Sequence, residues 1–359
     1  MTQKANFTGW VCPAPLQNYP TIVLGHGSGG KMMADLIQHL FSKAFGNDLL
    51  NQMGDSTILD FSHITESNSS NRLAFTTDSF VVSPLFFPGG NIGDLSIFGT
   101  VNDLSMSGAK PLFLSAGFIL EEGLPMETLG TIVDSMAEAC LVSGVKIATG
   151  DTKVVNHGHG DGMYINTTGI GIIPSGVDIS PKNARPGDVI MVNGNIGDHG
   201  IAIMSLRAGL DFETTIRSDT APLNSLVDLM LAETNQIHCL RDATRGGLAA
   251  VLNELAISSQ IGLEFDEKSV PIQPEVSAAC EMLGLDPFYI ANEGKLVVVL
   301  PENQADKVLT VMRAHPYGKN AAIIGKVVET HPGLVTARTS IGGMRVVDLP
   351  AGELLPRIC

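Results

Sequence analysis

The stretch PLFLSAGFILEEGLPMETLGTIVDSMAEACLVSGVKIATG, residues 111–150, predicts an α/β fold. It begins with one apolar run (111–120) and ends with another (145–150), and both have the composition of β-strands. Between the two runs, apolar residues recur at helical spacing, at Leu129, Ile132, Val133, Met136 and Cys140. A strand, a helix and a second strand therefore follow one another along the chain.

The same alternation extends in both directions from this stretch. LAFTTDS (73–79) and YINTTGIGII (164–173) are predicted strands, and Lys31 to Phe45 is a predicted amphipathic helix. The segment 174–187 is dense in Pro, Gly, Asp and Ser, which is typical of a domain boundary, and a second alternating region follows it. We therefore divide the chain into an N-terminal arm with a glycine-rich loop (1–40), an N-terminal domain (41–178), a C-terminal α/β domain (179–347) and a flexible tail (348–359).

Composition excludes several classes of protein. The chain has 359 residues, of which 44% are hydrophobic, so we expect a folded two-domain protein. Its formal net charge of −15 argues against nucleic-acid binding, which depends on clustered Lys and Arg. The five cysteines form no CxxC pair, and neither a secretory signal nor a bilayer-length apolar run is present, so we expect a cytoplasmic location.

GHGSGGK, residues 25–31, partly matches a phosphate-binding P-loop. The spacing fits GxxxxGK, but Met32 stands where that motif needs a Ser or Thr hydroxyl for Mg²⁺. The sequence therefore predicts a glycine loop with a lysine that contacts phosphates through backbone N–H groups, or a plain strand-to-helix turn.

Five aspartates lie in short turn-like segments beside small or hydroxyl residues. We expect each to lie near a strand end or a helix start, where an Asp is either a helix N-cap or a cation ligand. Because Mg²⁺ prefers hard oxygen ligands and bridges carboxylates to triphosphates, five such residues favour a metal–phosphate site. They are Asp55, Asp78, Asp103, Asp151 and Asp242.

Three further residues are candidates for catalysis. Lys153 lies two residues after Asp151, so we expect both on a turn facing one site. Glu293, in ANEGK, is either a solvated surface residue or a positioned general base. The chain ends in Pro-Arg-Ile-Cys, and Cys359 is either incidental or the reactive end of a swinging arm whose reach is on the order of 35–40 Å.

These motifs resemble the HypE family of hydrogenase maturation factors, which is related to aminoimidazole ribonucleotide synthetase, selenophosphate synthetase and thiamine-monophosphate kinase. The resemblance rests on GHGSGGK, GDSTIL, NDLSMSGAKP, TGDTKV, DATRGGL, ANEGKL and the terminal PRIC. It implies a two-domain PurM-like fold in which two N-terminal domains close an intersubunit β-barrel. It further implies a homodimer that uses ATP and Mg²⁺, a carbamoyltransferase partner (HypF) and delivery of the product to a HypC–HypD complex.

The resemblance also implies a role for each matched residue. Cys359 would carry the substrate group, and Glu293 and Lys153 would be catalytic. The five aspartates above would lie around Mg-ATP. The implied nucleotide contacts are Gly27, Ser28, Gly29, Gly30, Lys31, Asn102, Thr152, Thr244 and Arg245.

Two other functions remain open at this stage. A kinase of the same family would act on a free small molecule, and a scaffold would use its tail to dock a partner. A selenophosphate synthetase is disfavoured, because the glycine loop GHGSGGK lacks a reactive cysteine.

Overall fold

A computed structural model describes residues 21–23, 35–48, 72–209, 216–348 and 358–359. The glycine loop, Asp55 and tail residues 349–357 lie outside the described residues. The helix predicted over Lys31 to Phe45 is described from residue 35 onward, as the π-helical turn Ile37–Phe41 followed by α1, Ser42–Phe45.

A four-stranded sheet carries the first half of the chain, in the order β1-β6-β4-β5. Its strands are β1 (Arg72–Phe80), β4 (Lys110–Glu121), β5 (Lys146–Val155) and β6 (Met163–Ile173), with a short pair β2 (Phe86–Phe87) and β3 (Gly90–Asn91) beside it. Helices α2 (Ile92–Met106) and α3 (Met126–Ser143) pack against this region. Strands β4 and β5 are parallel and flank α3, which confirms the strand–helix–strand unit predicted for residues 111–150.

Local sequence explains where these two helices begin and end. Asn91 and Asp94 form a capping box at the start of α2 and so satisfy backbone N–H groups that the helix leaves free. Helix α3 ends at Gly144, whose φ of 72° lies in the left-handed region that glycine adopts without strain. The five apolar residues predicted as one helical face are all buried in a core with strands of the sheet.

The opposite face of the four-stranded sheet exposes apolar side chains. Phe75 is 71% exposed, Leu73 56% and Ile119 46%. Exposed aromatic and aliphatic side chains on one sheet face are typical of a surface that pairs with another protein.

A seven-stranded mixed sheet carries the second half, in the order β13-β12-β9-β11-β7-β10-β8. Its strands are β7 (Asp188–Val192), β8 (Cys239–Asp242), β9 (Gly262–Asp266), β10 (Leu296–Pro301), β11 (Ala322–Val328), β12 (Val335–Arg338) and β13 (Met344–Val346). Its helices are α4 (Asp198–Arg207), α5 (Asn224–Glu233), α6 (Gly247–Ser259), α7 (Pro274–Leu283) and α8 (Glu302–Ala314). Short 3₁₀ turns occupy Glu267–Ser269, Pro287–Tyr289 and Pro316–Gly318.

Strand β10 shows why this sheet is apolar on both faces. Val297 and Val299 pack into one hydrophobic core, while Leu296, Val298 and Leu300 pack into another. Alternate side chains of a strand point to opposite faces, so a strand covered on both sides is apolar throughout.

Asn102 connects helix α2 to the second half of the chain. Its amide nitrogen donates to the carbonyl oxygens of Ala221 at 3.0 Å and Glu293 at 3.3 Å, and its carbonyl oxygen accepts from the Leu223 backbone N–H at 2.7 Å. The amide is buried, so these bonds fix the position of α2 relative to the segment that carries Glu293. No described helix is long and apolar enough to cross a membrane.

Candidate functional site

A small cavity, called here the Cys359 cavity, lies where β1, α2, the end of β8 and the C-terminal residue meet. Its volume is about 20 Å³, room for one water molecule. Its lining contains three predicted metal ligands, two predicted nucleotide contacts and two predicted catalytic residues. The lining residues are Asp78, Gly99, Asp103, Asp242, Thr244, Arg245, Glu293 and Cys359.

Three aspartates reach the cavity from three different elements. Asp78 comes from β1, Asp242 is the last residue of β8, and Asp103 lies within α2, one helical turn after Gly99. The turn-like sequence around Asp103 suggested a helix start or a strand end, but Asp103 lies inside the helix. Gly99 lets β1 approach the helix, since a Cβ at this position would lie 2.9 Å from the Phe80 ring.

The three carboxylates destabilise one another's charge. Burial raises the pKa of Asp242 to about 7, with a further increase from the negative charge of Asp103. Burial also raises the pKa of Asp103 and of Asp78. The Thr76 hydroxyl lies 2.9 Å from Asp103 Oδ2 and partly offsets this effect at Asp103. The guanidinium of Arg245 partly offsets it at both residues. The cavity thus concentrates negative charge for which the nearby arginines do not fully compensate.

Glu293 is 3% exposed, which excludes the first of the two alternatives left open by the sequence, a solvated surface residue. Burial, and then the neighbouring negative charge of Asp219 and the cavity aspartates, raises its carboxyl pKa well above the usual value. Its Oε1 is buried and has no hydrogen-bond partner among the described residues. A buried, unpartnered carboxyl oxygen beside a cavity is a suitable group to accept a proton from a ligand.

The backbone around Glu293 is held by Asp219. Asp219 Oδ1 accepts from the Glu293 backbone N–H at 3.0 Å, and Oδ2 accepts from Gly294 at 3.3 Å and from Lys295 Nζ at 2.7 Å. A Cβ at position 294 would lie 2.0 Å from the Asp219 carbonyl oxygen, so only glycine fits there. Asp219 was not identified from sequence, because it lies 74 positions from Glu293 and no local motif marks it.

The last two residues of the chain are docked in the protein. The Ile358 side chain is buried in the hydrophobic core of the N-terminal region, and its carbonyl oxygen lies 2.8 Å from His199 Nε2. The Val81 backbone N–H donates to the Cys359 carbonyl oxygen at 3.0 Å. These contacts therefore hold Cys359 in place at the cavity. Neither His199 nor Val81 was identified from sequence.

Asp151 and Lys153 lie elsewhere in the chain. They lie within β5, not on a turn, and residues two apart on a strand point to the same face. Their side chains are 61% and 62% exposed and form an ion pair of 2.7 Å, and hydrogen bonding to Lys153 lowers the pKa of Asp151. Neither residue is among the described residues that line the Cys359 cavity.

The remaining predicted contacts divide into three groups. Thr244 and Arg245 line the cavity, whereas Thr152 is buried on the other face of β5 from Asp151. Asn102 is buried with both N–H groups of its amide engaged by backbone carbonyls, an arrangement typical of a positioning residue. The other predictions lie outside the described residues: Gly27, Ser28, Gly29, Gly30, Lys31 and Asp55.

The other cysteines behave as packing residues. Burial raises the pKa of Cys140 and of Cys239 to about 12 and that of Cys280 to about 11. Thiols with such pKa values are weak nucleophiles at neutral pH, so among the described cysteines only Cys359 is placed for chemistry.

The donor set of the cavity suits Mg²⁺ bound together with phosphates. Within the described parts of the chain, no group of three or more Asp, Glu, His or Cys side chains is arranged to hold a metal ion by itself. Mg²⁺ in nucleotide sites is commonly held by one or two carboxylates with phosphate oxygens completing its shell. Burial raises the pKa values of Asp78, Asp103 and Asp242, and a cation bound beside these carboxylates would favour their ionised forms.

Comparison with known proteins identifies the family. Residues 54–173 match the N-terminal domain of AIR synthase related proteins, and residues 185–336 match their C-terminal domain. The carbamoyl dehydratase HypE of Azotobacter vinelandii is 51% identical over 339 residues, which cover 94% of this chain and 97% of that protein.

Solved structures agree with this assignment. A crystal structure of hydrogenase maturation protein HypE in complex with ATP superposes with a TM-score of 0.90 at 47% identity, covering 94% of this chain and 100% of the other. A HypE–HypF complex contains a chain that matches with a TM-score of 0.76 at 49% identity, covering 88% and 99%. The chain therefore belongs to the AIR synthase related proteins and, among them, to the HypE family.

Proposed function

We propose that this protein is an ATP-dependent carbamoyl dehydratase that converts an S-carboxamide on its own Cys359 into a thiocyanate. The product would supply a cyanide ligand for [NiFe]-hydrogenase assembly. One observation carries the proposal: the terminal thiol and the buried Glu293 carboxyl line a single cavity with three aspartates. The relatives named carbamoyl dehydratase HypE support it.

The reaction needs a phosphoryl donor, because amide oxygen is a poor leaving group. ATP phosphorylates the carboxamide oxygen, and expulsion of phosphate together with loss of the two nitrogen-bound protons leaves S–C≡N, ADP and inorganic phosphate. Mg²⁺, held by Asp78, Asp103 and Asp242 with the phosphates, would supply charge neutralisation. The HypE structure with bound ATP supports the use of this nucleotide.

Glu293 is the proposed base. Its Oε1 is buried beside the thiol that carries the substrate, and Asp219 and Asn102 fix its backbone. A carboxyl group with a raised pKa is a stronger base when ionised, which suits removal of protons from nitrogen. Arg245 lies in the same lining and is placed to stabilise negative charge on the leaving phosphate.

We propose that Lys153 acts in the cavity of a second subunit. It is exposed on the same four-stranded sheet that presents Leu73, Phe75 and Ile119 to solvent, a surface suited to dimerisation. In this arrangement residues 41–178 form the dimerisation unit, with its β-barrel, and residues 179–347 pack alongside. A mixed dimer of Lys153→Ala and Cys359→Ser chains should recover activity that neither homodimer has; no recovery would place Lys153 outside the partner's site.

The proposed partners follow from the family. A carbamoyltransferase of the HypF type would load Cys359, and the HypE–HypF crystal structure supports such an encounter. A HypC–HypD complex would receive the cyanide, and the cytoplasm is the proposed location of these steps. Loading requires the docked C-terminal residues to leave the cavity, so the tail must alternate between an outward and an inward position.

A Cys359→Ser variant separates the alternatives. With the carbamoyltransferase, carbamoyl phosphate and ATP, the wild type should form one thiocyanate on Cys359 per ADP, and the variant none. A kinase of a free small molecule would keep its ATP turnover in the variant. A scaffold would show no ATP-dependent product in either protein and would keep its partner binding.

A further inference from the structure

His199 is buried next to the docked C-terminus and outside the cavity lining. It lies near the start of α4, and both ring nitrogens have partners at 2.8 Å: Nε2 has the Ile358 carbonyl oxygen, and Nδ1 has Ser218 Oγ. Its ring packs edge-on against Phe87, with centroids 5.4 Å apart. The reaction proposed above uses none of these groups.

The hydrogen-bond partners assign the protonation state of His199. A carbonyl oxygen only accepts, so Nε2 carries the hydrogen that is donated to Ile358. Burial lowers the pKa of His199, which keeps the ring neutral and leaves Nδ1 as an acceptor for the Ser218 hydroxyl. Ser218 Oγ in turn accepts from the Thr220 backbone N–H at 3.1 Å, which orients the hydroxyl toward the ring.

We propose that His199 is a positioning residue that holds Cys359 in the cavity through the Ile358 carbonyl, and that Ser218 sets its tautomer. The planar peptide unit that contains this carbonyl also contains the Cys359 nitrogen, so fixing the oxygen orients the Cys359 Cα. The buried Ile358 side chain anchors the tail without specifying direction, whereas the His199 bond is directional. The role in catalysis rests on the proposed dehydration at Cys359, but the docking contact does not.

The test measures how fast a bulky maleimide labels Cys359 in the unloaded full-length protein without ATP. Cys359 is partly exposed even when docked, so the wild type has a basal labelling rate. The cavity of about 20 Å³ is too small for the reagent, so an increase above that rate reports release of the C-terminal residues. His199→Phe keeps a ring but removes the donor, and should accelerate labelling roughly three- to tenfold, the effect of losing one hydrogen bond. His199→Gln can still donate to Ile358 and should label at nearly the wild-type rate.

Cys140, Cys239 and Cys280 are internal controls, because all three are buried and react only when the fold opens. Faster labelling of Cys359 alone supports the proposal, and equal acceleration at all four positions overturns it in favour of a general packing role. If His199→Phe fails to fold, the Ser218→Ala variant provides the test. Without the Ser218 hydroxyl, the tautomer with hydrogen on Nε2 is no longer fixed, so labelling of Cys359 should accelerate. An unchanged labelling rate overturns the proposal.

A second readout uses the loaded protein. His199→Phe should slow dehydration in single turnover, because fewer chains hold Cys359 docked and oriented, while loading by the carbamoyltransferase stays equal or becomes faster. A loss in both steps would contradict a positioning role. Failure of dehydration in the wild type would refute the proposed function and leave the labelling result intact.

Discussion

Two sets of buried carboxylates lie beside the same short segment, residues 292–295, and their charges are balanced differently. The Asp219 side chain is 3% exposed, and burial alone would raise its pKa, yet the charge and hydrogen bond of Lys295, together with nearby backbone N–H groups, lower it. Asp242 is partly buried, and its pKa rises to about 7 because of desolvation and the negative charge of Asp103. Asp219 has a counterion in the same chain, Lys295. The negative charge of the cavity aspartates is instead available to a bound ligand.

This difference separates structural from functional acids. The Asp219–Lys295 pair is completed by the protein and holds the backbone of Glu293. The Cys359 cavity contains aspartates whose charge the chain does not fully compensate, as expected for a site that binds a cation with its phosphates. The two sets should therefore respond in opposite ways to substitution.

The largest expected effect is on catalysis. Glu293→Gln keeps the size of the side chain but cannot accept a proton, so the single-turnover rate of thiocyanate formation should fall roughly 10²- to 10⁴-fold. Loading of Cys359 should be unchanged, because that step does not use Glu293. Glu281→Gln, on an exposed surface of helix α7, is the matched control and should keep the full rate. A fully active Glu293→Gln protein would remove Glu293 from the mechanism.

The next effect is on stability. Lys295→Met leaves Asp219 buried without its cation and should lower the free energy of unfolding by about 3–5 kcal/mol. Asp242→Asn removes a charge that has no full compensation, so it should not lower the free energy of unfolding. Urea denaturation of both variants without Mg²⁺ measures the contrast. Equal destabilisation of the two proteins would mean that the cavity charge is compensated within the chain.

A smaller effect depends on pH. Because the pKa of Asp242 is about 7 in the folded protein and 3.8 in the unfolded chain, the folded state retains a proton that the unfolded state releases. The free energy of unfolding of the wild type should therefore fall as pH rises between these values and level off above the upper one. Asp242→Asn should remove this part of the pH dependence, giving a gain on the order of a few kcal/mol near pH 8.

Mg²⁺ with nucleotide should reduce the stability difference between the wild type and Asp242→Asn near pH 8, since a bound cation supplies the missing positive charge. Thermal denaturation with and without Mg-ATP would show this. A pH profile of Asp242→Asn identical to that of the wild type would contradict the assignment of the titration to Asp242.

The smallest stability effect concerns the exposed pair on β5. Asp151 and Lys153 are more than half exposed, so Lys153→Ala should change the free energy of unfolding by less than about 1 kcal/mol. Its catalytic rate should nevertheless fall if the residue acts in the partner's cavity. If Lys153→Ala homodimers turn over at the wild-type rate, Lys153 has no part in catalysis and is only a surface residue.

The sequence predicted the strands and helices that have clear periodicity, and it predicted the chemistry carried by motifs. The run 111–150 folds as expected, because its apolar residues match one strand, one helix face and a second strand. Glu293, Arg245 and Cys359 were placed in one site by family motifs, and the cavity contains all three.

Contacts between distant segments could not be predicted from local patterns. Asp103 has the sequence surroundings of a turn but lies inside a helix, since the capping box at Asn91 starts that helix three turns earlier. Asp219 and His199 act through hydrogen bonds across 74 and 159 positions, and no local spacing encodes such separations. Lys153 was expected on a turn, but it lies within β5 with its side chain exposed.

Dehydration at Cys359 is tested most directly by the intact mass of the carbamoylated protein before and after addition of Mg-ATP. We expect loss of the mass of one water, localised to the peptide that ends in Cys359, with one ADP formed per chain. An unchanged mass while ATP is consumed would contradict dehydration at Cys359 and favour a kinase that acts on a free small molecule.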